Sequence, residues 1–221
     1  MDDATNKKRK VFVSTILTFW NTDRRDFPWR HTRDPYVILI TEILLRRTTA
    51  GHVKKIYDKF FVKYKCFEDI LKTPKSEIAK DIKEIGLSNQ RAEQLKELAR
   101  VVINDYGGRV PRNRKAILDL PGVGKYTCAA VMCLAFGKKA AMVDANFVRV
   151  INRYFGGSYE NLNYNHKALW ELAETLVPGG KCRDFNLGLM DFSAIICAPR
   201  KPKCEKCGTS KLCSYYEKCS T

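Results

Sequence analysis

The chain has 221 residues, with 40 Lys and Arg against 24 Asp and Glu, for a formal net charge of +16. At 45% hydrophobic and 29% charged it reads as folded rather than disordered, with length for one large domain or two small lobes. The basic surplus points to a polyanion, either nucleic acid or an anionic membrane surface, and no apolar run approaches the ~18 residues that would span a bilayer.

Lys7-Lys8-Arg9-Lys10 before Val11 to Trp20 imitates a signal peptide, but Asp2 and Asp3 spoil the basic start. The following Asn21-Thr22-Asp23-Arg24-Arg25 offers no small-residue cleavage site. Val11 to Trp20 is therefore expected to be an amphipathic first helix of a cytoplasmic protein. Asp34-Pro35 is a helix start, an N-cap followed by Pro at the first helical position. Thr73-Pro74 repeats the pattern before a short helix through about Lys83. Ser88 is expected to cap a helix to Tyr106, with Ala92, Leu95, Leu98, Ala99 and Val102 on one face and Gly107-Gly108 as the stop. Asn113 opens a short helix that halts at Pro121. Asp144 precedes a helix that ends at Gly156-Gly157, and Asn165 to Val177 and about Arg183 to Ile196 complete the set. The chain reads as all-α, with roughly ten helices.

Three features carry chemistry. Glu42 is the one charge in the ten residues Tyr36 to Leu45; a carboxylate there loses solvation, which raises its pKa and suits it to general acid work. The plainer reading is that it emerges at a helix surface or pairs with a neighbouring Arg. Leu120-Pro121-Gly122-Val123-Gly124 lies between two helices, its glycines allowing a tight turn that aims backbone amides outward. Such a turn either binds a phosphate or only joins the helices. Cys197, Cys204, Cys207 and Cys213 lie within seventeen residues, in a tail too poor in apolar residues to build a core. Four thiolates at this spacing could hold tetrahedral zinc or a [4Fe–4S] cluster. Cys66, Cys128, Cys133, Cys182 and Cys219 read as buried or incidental thiols, and an odd total argues against a disulfide framework.

Leu120-Pro-Gly-Val-Gly-Lys-Tyr-Thr127, with Asp144 twenty residues after Gly124, resembles the helix-hairpin-helix DNA glycosylase superfamily. The resemblance runs from about Val11 to Cys213 and implies two helical lobes with a DNA cleft between them. One lobe would be 27–137, with the hairpin at about 113–134; the other would be 1–26 plus 138–221, ending in the cysteine loop at 197–213. It implies that Leu120, Gly122, Val123, Gly124 and Lys125 sit on a DNA phosphate. The spacing Cys197-x6-Cys204-x2-Cys207-x5-Cys213 is similar to that of the endonuclease III and adenine mismatch glycosylase group, which favours a structural [4Fe–4S] cluster over zinc.

Thr41-Glu42-Ile-Leu-Leu-Arg-Arg-Thr48 resembles the segment in which adenine mismatch glycosylases carry a catalytic Glu, and Asp144 matches the family's active-site carboxylate. An Asp held ionised at a helix cap would stabilise the oxocarbenium-like charge formed as a glycosidic bond breaks. Bifunctional members place a Schiff-base lysine where this chain has Tyr126, Lys125 falling one residue early. The resemblance therefore implies a monofunctional enzyme with Tyr126 lining the base pocket. It also places Arg47 and Leu87 on the loops that wedge into DNA when a base is extruded.

Phe19-Trp20, Phe27-Pro28-Trp29-Arg30 and Thr41-Glu42 match the adenine branch, but Arg46-Arg47 replaces its paired Gln and Tyr126 its usual Ser. The chain also stops eight residues after Cys213, where adenine enzymes continue into a further domain. The combination resembles the archaeal G·T mismatch thymine glycosylases. The expected activity is excision of thymine or uracil opposite guanine in base excision repair, by a monomer acting on mismatched double-stranded DNA at the nucleoid, with no membrane and no obligate protein partner. The alternatives are an adenine glycosylase acting opposite G or 8-oxoG, and a non-catalytic iron–sulfur DNA-binding protein.

Overall fold

Short polar side chains set several helix starts by accepting amide hydrogen bonds that the first turn leaves over. Asp34 accepts from the Tyr36 amide at 2.8 Å, Asn113 from Ala116 at 2.8 Å and Asp144 from Phe147 at 2.7 Å. In this computed structural model, which describes residues 3–220, the helices are α1 (Asp3–Asp23), α2 (Pro35–Leu44), α3 (Ala50–Lys63), α4 (Phe67–Lys72), α5 (Lys75–Asp81), α6 (Ser88–Tyr106), α7 (Arg114–Leu118), α8 (Lys125–Ala130), α9 (Ala145–Phe155), α10 (Lys167–Leu176), α11 (Cys182–Ile195) and α12 (Ser214–Ser220). No strand occurs among the described residues.

The structure corrects several boundaries. The first helix starts at Asp3 and runs to Asp23, and α3, α4 and α12 lie in stretches where no helix was expected. Ser88 is not a cap: it is the first residue of α6, and Leu87 takes the cap slot in a left-handed conformation with no side-chain cap bond. Pro74, not Thr73, precedes α5, which stops at Asp81 before a 3-10 turn over Lys83–Ile85. Beyond α8 the chain widens into a π-helical turn over Val131–Ala135, a register that recurs at functional sites.

Backbone contacts divide the chain into two units, Asp26–Phe136 and the pair Met1–Arg25 with Gly137–Thr221. In the first, α2 is central: Leu39, Ile40, Ile43 and Leu44 are fully buried, and the helix packs against α6, α8 and the π turn. At ~2 kcal/mol for each such side chain, the apolar burial outweighs the cost of holding one polar group there. In the second unit α1 lies along α11, and Gly188 permits the approach: a Cβ there would meet the Ile16 carbonyl at 2.9 Å. The Asn186 side chain accepts from the Met142 amide at 2.9 Å and donates to the Ala140 carbonyl at 2.9 Å, fixing the segment that leads to Asp144.

Candidate functional site

In the Asp26–Phe136 unit the hairpin is anchored by its apolar residues and presents its glycines. Leu120 and Val123 are buried, and the Val123 amide donates to the Leu120 carbonyl at 3.0 Å to close the turn. Gly122 has φ +69, and a Cβ on it would overlap the Gln94 side chain. Gly122, Gly124 and Lys125 are exposed, while Tyr126 is half-buried on the first turn of α8. This backbone can approach a phosphate without a side chain intervening.

Glu42 lies in the last turn of α2 and is only 7% exposed. One turn on, Arg46 reaches α8, donating from Nη2 to Thr127 Oγ1 at 3.0 Å; Thr127 is buried and adjoins Tyr126. Burial lowers the Arg46 pKa, and the Glu42 carboxylate opposes that shift. Glu42 is therefore buried, with the Arg46 cation within electrostatic reach. Arg46 escaped the count of charges because it falls just past the apolar stretch.

The two expected wedges share an unusual backbone. Arg47 has φ +49 and Leu87 φ +50, left-handed values that cost a side-chain-bearing residue about 1–2 kcal/mol each. Arg47 is exposed and Leu87 is 50% exposed, so neither conformation is repaid by burying its own side chain. Sequence reasoning missed the residue between them. Arg91, 4% exposed, donates from Nη1 to the Ile43 carbonyl at 2.7 Å, from Nη2 to the Arg46 carbonyl, and from Nε to the Gly86 carbonyl at 3.0 Å. A signal was present: position 91 lies four residues before Leu95 and seven before Leu98, on the apolar stripe of α6.

In the other unit Asp144 caps α9 with one oxygen on the Phe147 amide, and its second oxygen accepts from Asn146 Nδ2 at 2.8 Å. The same helix grips the cysteine loop further along. Arg149 donates to the Cys197 carbonyl at 3.2 Å and the Ser193 carbonyl at 2.9 Å. Arg153 donates to Ala198 and Pro199 carbonyls at 2.7 Å each and approaches Cys197 Sγ at 3.5 Å. Cys197, Cys204, Cys207 and Cys213 line one largely apolar cavity, together with Phe12, Tyr154 and Phe192. Burial and then the other three thiols push the Cys204 pKa up, and burial pushes up that of Cys213. All nine cysteines are unbridged. Among the described residues no three Cys, His, Asp or Glu side chains converge on one point as ligands of a single ion. Cys128, Cys133 and Cys182 are buried, Cys66 is partly buried and Cys219 is exposed. No helix among the described residues is long and apolar enough to cross a membrane.

Residues 40–175 match the family described as HhH-GPD superfamily base excision DNA repair protein. The chain is 34% identical to a thymine-DNA glycosylase of Aeropyrum pernix, covering 87% of each protein. It is also 34% identical to a thymine/uracil-DNA glycosylase of Pyrobaculum aerophilum, covering 88% of this chain and 86% of that one. An adenine DNA glycosylase of Mus musculus is 30% identical over 94% of this chain but only 42% of its own length. A trapped endonuclease III–DNA covalent intermediate superposes over the whole of both chains with a TM-score of 0.85 at 24% identity. A non-covalent endonuclease III–DNA complex does so over 100% of this chain and 99% of its own, with a TM-score of 0.81 at 26% identity.

Proposed function

This chain belongs to the HhH-GPD superfamily of base excision DNA repair proteins, and on that premise we propose that it is a monofunctional DNA glycosylase that removes thymine or uracil opposite guanine. DNA glycosylase activity is what the relatives' names have in common; the target base and the absence of strand cleavage are the finer reading. The observation that carries it is Tyr126, half-buried on the first turn of α8 beside the Arg46–Thr127 bond, in the place of a Schiff-base lysine. Without an amine there, water is the nucleophile.

In this mechanism the exposed backbone at Gly122 to Lys125 holds a phosphate, and Arg47 and Leu87 fill the gap left by the extruded nucleotide. Glu42 gives a proton to the departing base as the N-glycosidic bond breaks. Asp144 stabilises the positive charge that builds on the sugar, and a water adds to C1′ while its proton passes to bulk solvent. A G·T wobble is poorly stacked, so extruding its thymine costs less than opening a matched pair.

Cys197, Cys204, Cys207 and Cys213 fit a [4Fe–4S] cluster, because they enclose a cavity rather than a point; zinc is the alternative. The cluster would supply cross-links to a loop that presents Lys201, Lys203 and Lys206 to solvent.

The test is single-turnover incubation with labelled duplexes bearing G·T, G·U, G·A or 8-oxoG·A, worked up with and without alkali. Breaks at T and U only after alkali, with no borohydride-trapped complex, are expected. Breaks at A would move the chain to the adenine branch, which the mouse relative keeps as the second reading. Trapping by borohydride would make Lys125 a Schiff-base residue. Tight binding with no break in any duplex would favour the non-catalytic alternative.

A further inference from the structure

Base extrusion needs both wedge loops to enter the helix in register, because a wedge that yields lets the base restack. The two loops are 40 residues apart in sequence, and each holds its exposed residue in a left-handed conformation. Beyond the packing of α2 on α6, one side chain bonds to both. Arg91 donates to the carbonyls of Ile43 and Arg46 on one side and of Gly86 on the other. Arg46 immediately precedes Arg47, and Gly86 immediately precedes Leu87. The Ile43 and Arg46 carbonyls lie at the C-terminal end of α2, where the helix leaves acceptors over and its dipole favours a cation. This explains how a guanidinium can be 4% exposed while bonded to three backbone carbonyls rather than to a carboxylate. The Leu87 carbonyl is in turn held by the Arg91 amide at 2.9 Å.

We propose that Arg91 is a positioning residue for base extrusion, clamping the Arg47 and Leu87 loops into a single two-pronged wedge. The proposal rests on the reading of those two residues as wedges. A planar fork with five N–H groups can serve three carbonyls at once; a lysine ammonium on a flexible stem cannot hold them in one plane.

The experiment places 2-aminopurine beside a G·T mismatch and compares wild type, Arg91→Lys, Arg91→Met, Leu87→Ala and the Arg91→Lys/Leu87→Ala double variant. Arg91→Lys is expected to lower single-turnover excision about ten- to a hundredfold and to abolish most of the fluorescence rise on binding, with DNA affinity within a few-fold and melting temperature near wild type. In the Leu87→Ala background the same change should have little further effect, since the clamp then has no second prong to hold. Loss of excision with an undiminished fluorescence rise, or fully multiplicative effects in the double variant, would overturn the clamp. If Arg91→Met fails to fold, Arg91→Lys still decides. Failure of wild type to release any base would sink the glycosylase reading alone, because the fluorescence rise and its dependence on Arg91 remain measurable. Absence of that rise in wild type would overturn wedge and clamp together.

Discussion

The Arg47 and Leu87 loops of the Asp26–Phe136 unit and the cysteine loop of the other unit are both tied down by arginines that donate to backbone carbonyls, yet they differ in what surrounds the tie. Arg91 is buried among the fully buried side chains of α2 and α6. Arg149 and Arg153 are partly exposed, and between Cys197 and Cys213 the single buried residue is Thr209. The first region is fixed by the polypeptide itself. The second has too little apolar burial to be fixed that way, and the cluster proposed for its four thiols would supply the missing cross-links.

Removing the proposed cluster is the largest perturbation of this contrast. If the four thiols hold a [4Fe–4S] cluster, Cys204→Ser or chelation of its iron should abolish visible absorbance and the proposed excision. Amide exchange should accelerate across 197–213 and the last turn of α9, while exchange across α2 and α6 stays unchanged. Equal acceleration in both regions would erase the distinction.

Asp144→Asn separates chemistry from order within the less buried region. Asn caps helices as well as Asp does, so α9 and its grip on the loop should persist. Excision should still fall by about 10²–10³ with DNA affinity within a few-fold. Normal turnover would remove Asp144 from the mechanism.

Gly122→Ala probes the region that the polypeptide fixes. Gln94 is flexible and can swing aside, so the cost comes mainly from φ +69 and should be about 1 kcal/mol or somewhat more in urea unfolding. DNA affinity should weaken as well, because a methyl group now stands on the exposed turn. An unchanged affinity would mean that the hairpin only joins helices.

The smallest effect is a control at Asp81, the last residue of α5, whose partners lie on α3 and just beyond it. Burial works against the Asp81 carboxylate, but hydrogen bonds from Lys63 at 2.5 Å and Tyr64 Oη at 2.7 Å outweigh it and hold its pKa below the usual range. The unfolded chain therefore takes up this proton first as pH falls. The stabilisation is fully present above an unfolded value of about 4 and is lost as pH drops through the folded value. Asp81→Asn should lower the melting temperature by a few degrees at pH 7, and the gap should narrow in acid.

What the sequence made legible follows from which residues carry local rules. Asp34, Asn113 and Asp144 act within three residues of themselves, so their caps could be read directly. The turn Leu120 to Gly124 and the four-cysteine spacing were legible for the same reason: glycine, proline and thiol chemistry is local. Ser88 misled because Gly86 and Leu87 enter α6 through a left-handed step, a conformation that nothing in a leucine announces. Arg91 looked like one more polar residue in a basic chain, since its partners lie 5, 45 and 48 positions away. Arg149 and Arg153 were hidden likewise, their carbonyl partners 44 to 48 residues distant.

The glycine that admits α1 to α11 also sets a schedule. Helices α2 to α8 are contiguous in the chain, so their unit can close as it leaves the ribosome. Phe12 and Ile16 on α1 are made first, yet the helix that carries Gly188 and covers them is made last among the long ones. At about 5–20 residues per second, that greasy face waits on the order of ten seconds or more for its cover. During synthesis α1 therefore stays open to a chaperone until α11 follows it out.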